Sequence, residues 1–324
     1  MLALLFCCGV LFLVAIGAAQ EIPAPEQLMT AAHKVSGISQ AGPYVFSATV
    51  VINPGDKKNE KAGRLTISRD HDRARVELEI GGLRETRVFL GDKQYAMPGQ
   101  GFLFATGLNT FDQSWDPVQA KRFHFAPTYT FGHVSRQRDH GVDVWCFDRI
   151  QAQGKDKLCF DPARSVLLTE NSRDQGRREF WDYTTFGEQM YPQRVQIVPM
   201  RIVPIEVNHI AINPAELKDE VFAVPEKSIE LETCDDIRPP RSDYTPEPEY
   251  SEKARRKEEN AVTLLDIFVT KEGKVSAVQV MNPDPDGLGD NAREKIKTWR
   301  FKPATCGNRP VNAEMIIEVS FNIF

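Results

Sequence analysis

The chain has 324 residues, enough for two domains with separate cores, and 40 Lys and Arg against 45 Asp and Glu leave a net charge of −5. That balance carries no basic excess, so no nucleic-acid partner is expected. A charged fraction of 26% and a hydrophobic fraction of 41% are ordinary for a globular protein and select no function.

Residues 2–19 hold no charge, and Gly17, Ala18 and Ala19 stand just ahead of Gln20. This pattern predicts a signal peptide over 1–19 and hence a periplasmic, exported chain. Left uncleaved, a segment of this length would instead serve as an inner-membrane anchor. Four cysteines remain beyond it: Cys146, Cys159, Cys234 and Cys306. None sits in C-x-x-C, which argues against a zinc ribbon or a thioredoxin-like site, and an even number in an exported chain favours disulfides.

A short helix is expected over 22–36, with Pro25 in its first turn, Leu28, Ala31, Ala32 and Val35 on one face, and Gly37 ending it. From Tyr44 the period changes to two. The clearest strand is 73–80, where Ala74, Val76, Leu78 and Ile80 alternate with four charges. Gly, Pro and Asn turn signals then separate strand after strand as far as residue 210, with one helix expected near 112–123. Many short antiparallel strands with few helices predict a mainly β fold over 20–228, a curved sheet or half-barrel. Inward positions such as Phe46, Val76, Leu78 and Phe89 either line a hollow for a lipid or other hydrophobic ligand or fill an ordinary core, and both readings stand.

Several features of 21–225 resemble the lipoprotein-carrier (LolA/LolB-like) superfamily. They are the leading helix, the long meander, Cys159-Phe160-Asp161-Pro162, Phe180-Trp181-Asp182-Tyr183, Tyr191-Pro192, and the closing stretch from Asn213 to Pro225. The resemblance implies a half-barrel that holds an acyl chain.

Residues 229–248, with Pro239, Pro240, Pro246 and Pro248, read as a Pro-rich linker. A small α+β domain is expected over 249–324. It comprises a strand at 262–269, a turn at Gly273, a strand at 275–280, a helix carrying Leu288, Ala292, Ile296 and Trp299 on one face, and a final strand over 315–324. Pro248, Tyr250, Ala254, Gly273, Trp299-Arg300-Phe301, Pro303-Ala304 and Pro310-Val311 resemble the C-terminal domain of TonB-family proteins. The resemblance implies a protein-contact module that engages an outer-membrane transporter or another envelope protein by strand addition, in support of TonB-type transport. Two features depart from a force transducer of that family: the leader has no polar residue before Gln20, and a globular domain fills the intervening span.

The final strand is expected to bury Met315, Ile317, Val319, Phe321 and Ile323 and to show Glu314, Glu318, Ser320 and Asn322 to a partner strand. Its edge is open to a partner, closed in a homodimer, or absent because the strand lies mid-sheet. Cys146 and Cys159 are symmetric about a hairpin centred on residues 152–153 and are expected to pair; Cys234 and Cys306 follow, partly by elimination.

His124, His133 and His140 match no metal-ligand spacing. Asn282, Asp284, Asp286 and Gly287 imitate the opening of a calcium loop, but Arg293 stands where its bidentate Glu would be, and the segment reads as a turn with Asp290 capping the next helix. No metal, no cofactor and no enzymatic activity are expected, because no nucleotide, metalloprotease or hydrolase fingerprint is present. A ligand-free envelope scaffold is the remaining alternative.

Overall fold

The computed structural model describes residues 22–36, 38, 42–80, 83–91, 93–97, 130–151, 154–172, 176–198, 204–232, 234, 237–258, 260–281 and 286–322. The signal peptide at 1–19, the helix expected near 112–123, His124, Asn282, Asp284 and Ile323 lie outside the described residues. No helix among the described residues is long and apolar enough to cross a membrane.

Helix α1 (Pro25–Ser36) is followed by β1 (Tyr44–Ile52), β2 (Lys61–Asp70), β3 (Arg73–Ile80), β4 (Leu83–Leu90) and β5 (Lys93–Met97). Next come β6 (Thr130–Phe131), β7 (Ser135–Asp139), β8 (Val142–Gln151), β9 (Gly154–Asp161) and β10 (Val166–Ser172). Strands β11 (Gly176–Phe186), β12 (Gln189–Val198), β13 (Ile205–Pro214) and β14 (Ile229–Glu232) complete one antiparallel sheet. Its order is β14-β5-β4-β3-β2-β1-β13-β12-β11-β10-β9-β8-β6, with β7 also on β8. Two meanders are therefore joined where β1 meets β13, and the sheet is curved and open rather than a closed barrel.

The period of two places the core. Along β1, Tyr44, Phe46, Ala48, Val50 and Ile52 are buried and their neighbours half-buried. Register then aligns Phe46 with Ile67, Ile67 with Val76, and Val76 with Arg87 across β1 to β4, so these four share the inner face. Leu28 and Ala32 of α1 pack into the same core, together with Phe147, Phe160 and Phe180 of the far half. An arginine in an apolar row needs a partner, and the C-terminal part of the chain supplies it.

That part contains β15 (Ile237–Arg238), β16 (Arg241–Tyr244), α2 (Glu252–Arg256), β17 (Ala261–Val269), β18 (Val275–Val280) and α3 (Leu288–Ile296). Short strands β19 (Arg300–Lys302), β20 (Ala304–Cys306) and β21 (Arg309–Val311) lead to the last strand, β22 (Ala313–Phe321). The main sheet here has the order β18-β17-β22; β15-β20-β21 and β16-β19 form two smaller ones. Leu288, Ala292 and Ile296 of α3 are fully buried against Leu265, Ile267, Val319 and Phe321, as the helical spacing predicts. Asp290 is not the cap: the helix starts one residue after Gly287, whose φ of 82° takes the N-cap place. An αL residue there suits glycine, and no side-chain oxygen is needed.

The stretch read as a linker is structured. β14 extends the edge of the large sheet, β15 and β16 pair with β20 and β19, and the Trp299 indole donates to the Pro246 carbonyl at 2.9 Å. Prolines suggested an extended tether, but extended backbone also fits short edge strands once partners exist.

Candidate functional site

Alternation along β17 gives the C-terminal sheet two apolar faces. Leu265, Ile267 and Val269 turn toward α3, whereas Leu264 and Phe268 turn the other way. On β22 the same split puts Met315 and Ile317 on the helix side and Glu314 and Ile316 opposite. The second face sits on the inner face of the large sheet. Leu264, Ile316 and Met281 share one core with Phe46, Val76, Leu78 and Phe89, and Phe268 packs on Ala96 and Leu231. The four positions considered as a ligand lining thus belong to a filled core that also takes in Leu264, Ile316 and Met281 of the C-terminal part, with Phe46 and Leu78 each 1% exposed.

At the centre of this seam is Arg87. Its Nη1 and Nη2 donate to both carboxylate oxygens of Glu314 at 2.7 and 2.6 Å, and its Nε donates to Glu85 at 2.5 Å. All three side chains are at most 7% exposed. Glu314 is therefore not the wet, partner-facing residue that the alternation of the last strand suggested. A fork-to-carboxylate pair is the strongest common ion-pair geometry, and it anchors the last strand to β4. Burial alone would pull the Arg87 guanidinium down, but the charges of Glu314 and Glu85 outweigh it and hold the group above its usual value. Burial pushes the Glu85 carboxyl up, against the lowering effect of Arg87. Two carboxyl groups share one cation in a dry place, and burial favours the protonated form of Glu85.

The rim of the seam adds further ties. Asn312 donates to the Glu230 carbonyl of β14 at 2.9 Å, Arg309 pairs with Glu232 at 2.5 Å, and the Cys234–Cys306 disulfide joins the end of the large sheet to the β20–β21 hairpin. The second disulfide, Cys146–Cys159, links residues directly opposite on β8 and β9, with Cα atoms 4.1 Å apart, as the hairpin symmetry predicts.

Among the described residues β22 is an edge strand. Met281 N–H donates to the Leu264 carbonyl at 2.8 Å, so Leu264 presents its backbone groups to the β18 side. Backbone direction alternates along a strand, so Leu265 faces β22 and its opposite residue Ile317 faces back. Ile316, Glu318 and Ser320 then direct their backbone groups away from β17, toward the side on which no strand pairs among the described residues. Glu318, Ser320 and Asn322 are exposed there, next to Val262, which is 48% exposed.

The remaining candidates have structural partners. His140, in the turn between β7 and β8, stacks on Trp181 at 3.5 Å between ring centres. His133 lines a cavity of about 460 Å³ with Glu26, Ile22, Pro25, Phe131 and Val134. Asp286 of the calcium-like stretch is buried and receives Lys257 at 2.7 Å and Lys253 at 2.9 Å, which ties α2 to the start of α3. No cluster of metal-ligating side chains occurs among the described residues.

Residues 246–323 match the family model described as Gram-negative bacterial TonB protein C-terminal. No curated protein matches the chain. Among solved structures, a LolA superfamily protein from Nitrosomonas europaea is 10% identical, with a TM-score of 0.42, over 61% of this chain and 96% of its own. A DUF1329 family protein from Desulfovibrio piger is 12% identical, with a TM-score of 0.42, over the same shares of the two chains.

Proposed function

We propose that this is an envelope protein of the periplasm, without catalytic activity, that uses its TonB-type C-terminal domain to hold an extended segment of an outer-membrane transporter or other envelope protein. The observation that carries this reading is the outward direction of the β22 backbone from Ile316 to Ser320 at a sheet edge. An added strand would gain main-chain hydrogen bonds there, and its alternate side chains would meet Glu318, Ser320 and Asn322. The family match of residues 246–323 and the two disulfides support an envelope location.

Ser320→Pro tests it. The lost N–H points away from β17, so the domain stays folded while one donor to an added strand disappears. Titration with a transporter plug peptide is expected to show binding for the natural chain and for Ser320→Ala, and none for Ser320→Pro. Undiminished binding by a folded Ser320→Pro chain sinks the strand-addition reading.

A second reading, a carrier for a hydrophobic ligand, draws on the cavity beside α1, whose size falls in the ~300–1,000 Å³ range of ligand sites and whose lining mixes Ile22, Phe131 and Val134 with Glu26 and His133. Native mass spectrometry of the purified chain with lipid retained supports it; a bare polypeptide mass speaks against it.

A further inference from the structure

We propose that one face of the C-terminal domain is a docking surface for the anionic phospholipid headgroups of a membrane. It is built where β16 and β19 meet the turn after β17. The register sets Arg241 of β16 opposite Lys302 of β19, and Tyr244 opposite Arg300. On the other side of β19, Lys274 forms a bridge opposite Arg300. Phe301, between Arg300 and Lys302, belongs to the domain core and is 6% exposed, so its two neighbours point outward. Residues opposite each other share a face. Arg241, Lys274, Arg300 and Lys302 are exposed on it, and Tyr244 beside them is 60% exposed.

Like charges set directly opposite each other repel, so strand pairing that serves folding alone avoids them. Elsewhere this chain does avoid them. Among the described residues, every other pair of charged side chains set opposite by strand register joins unlike signs, such as Arg64 with Glu79, Lys93 with Glu232 and Asp148 with Lys157. Arg241–Lys302 and Lys274–Arg300 are the exceptions, and both fall on this one face. None of the four cations forms an ion pair with a described residue. Arg300 is nonetheless held in place, because its Nη1 donates to the Thr298 and Trp299 carbonyls at 3.1 and 2.8 Å. The carboxylates nearest in the chain do not cancel the charge. Glu272, in the turn, feels Lys271 and Lys274, and Asp243 lies in the bulge of β16. Arg241, Lys271, Lys274, Arg300 and Lys302 therefore stand against Asp243 and Glu272 alone. The form of the patch favours a surface over a peptide strand. Pro239 and Pro240 precede β16, Pro246 follows it and the bulge breaks its register, and such features blunt a sheet edge. Clustered Lys and Arg are drawn to the negative surface of a membrane, and an exposed Tyr suits the headgroup level. The patch sits at the Val269–Ala313 end of the C-terminal sheet, whereas the open edge of β22 runs from Ile316 to Ser320. None of this depends on what binds that edge.

Co-sedimentation of the purified chain with protein-free vesicles tests the surface. Vesicles of phosphatidylglycerol and phosphatidylethanolamine are expected to bind the chain, pure phosphatidylcholine vesicles are not, and the binding should fade as salt is added. Each cation is worth about five-fold in partitioning at such a surface, so Arg241→Gln/Lys302→Gln should weaken binding ~25-fold. Lys57→Gln/Lys58→Gln, in the exposed turn before β2, makes the same change in net charge and should leave binding as it was. Lys302→Glu sets an acid opposite Arg241 and should raise the thermal midpoint while it lowers vesicle binding. Undiminished binding by the folded Gln pair or by Lys302→Glu overturns the proposal, as does equal binding to the neutral vesicles. A chain that ignores the anionic vesicles but binds poly-glutamate also overturns it, and assigns the patch to an acidic protein.

Discussion

Truncating Arg87 would leave two carboxylates buried across the seam with no cation between them. Arg87→Ala is expected to cost ~3–5 kcal/mol in denaturant unfolding, the usual penalty for an uncompensated buried charge. Arg87→Lys should recover only part of it, because an ammonium cannot reproduce the fork that meets both oxygens of Glu314. Glu85 gives the seam a pH dependence of unusual sign. Its folded carboxyl lies above the ordinary value of 4.5, so between that value and the raised one the folded chain holds more protons than the unfolded chain. Its contribution to stability is therefore fully present below 4.5 and falls as pH rises through the raised value. Glu85→Gln should flatten this part of the stability–pH curve, as measured by urea titrations from mildly acidic to neutral pH; an unchanged slope would assign it to another group. In the sequence, alternation places Glu85 and Arg87 on the same strand face as Phe89, and nothing nearby offers the pair a buried partner. The partner that the fold supplies, Glu314, is 227 positions away.

Turn chemistry governs the elements of the C-terminal domain. Gly273 joins β17 to β18 with φ 76°, and a Cβ there would stand 1.9 Å from the Phe301 carbonyl oxygen. The Phe301 N–H donates to the Gly273 carbonyl at 2.9 Å, so the turn and the strand after α3 lie backbone to backbone. Gly273→Ala combines left-handed strain with a clash against main chain. It is expected to lower stability by at least ~2 kcal/mol, read from the shift in thermal midpoint. The residues that carry the family resemblance act in the same neighbourhood: the Trp299 indole binds the Pro246 carbonyl, and Tyr250 meets Phe321 edge to face at 5.4 Å. That is why the segment before α2 is held to the domain rather than swinging free.

For the whole molecule, the face of the C-terminal sheet that carries Leu264, Phe268 and Ile316 is covered only because the large sheet lies beneath it. Excised residues 237–324 would expose this face as one apolar patch, and such patches drive association. The fragment is expected to sediment as a concentration-dependent oligomer, with Phe268→Ser/Ile316→Ser shifting it to monomer. A monomeric unmodified fragment would show that the face tolerates water.

The sequence by itself determined the strands near 44–52, 73–80, 262–269 and 275–280, the Cys146–Cys159 pairing and the character of the C-terminal domain, because period-two burial, hairpin symmetry and turn residues act over a few neighbours. The buried stripe Leu288, Ala292 and Ile296 and the pairing of Cys146 with Cys159 were legible for that reason. Only the tertiary structure decided what covers the inner face of the large sheet, that Glu314 is dry, and that the proline-bearing stretch pairs as strands. Each of these rests on contact between residues far apart in the chain, and a strand's alternation states that it has two faces without stating what either one meets.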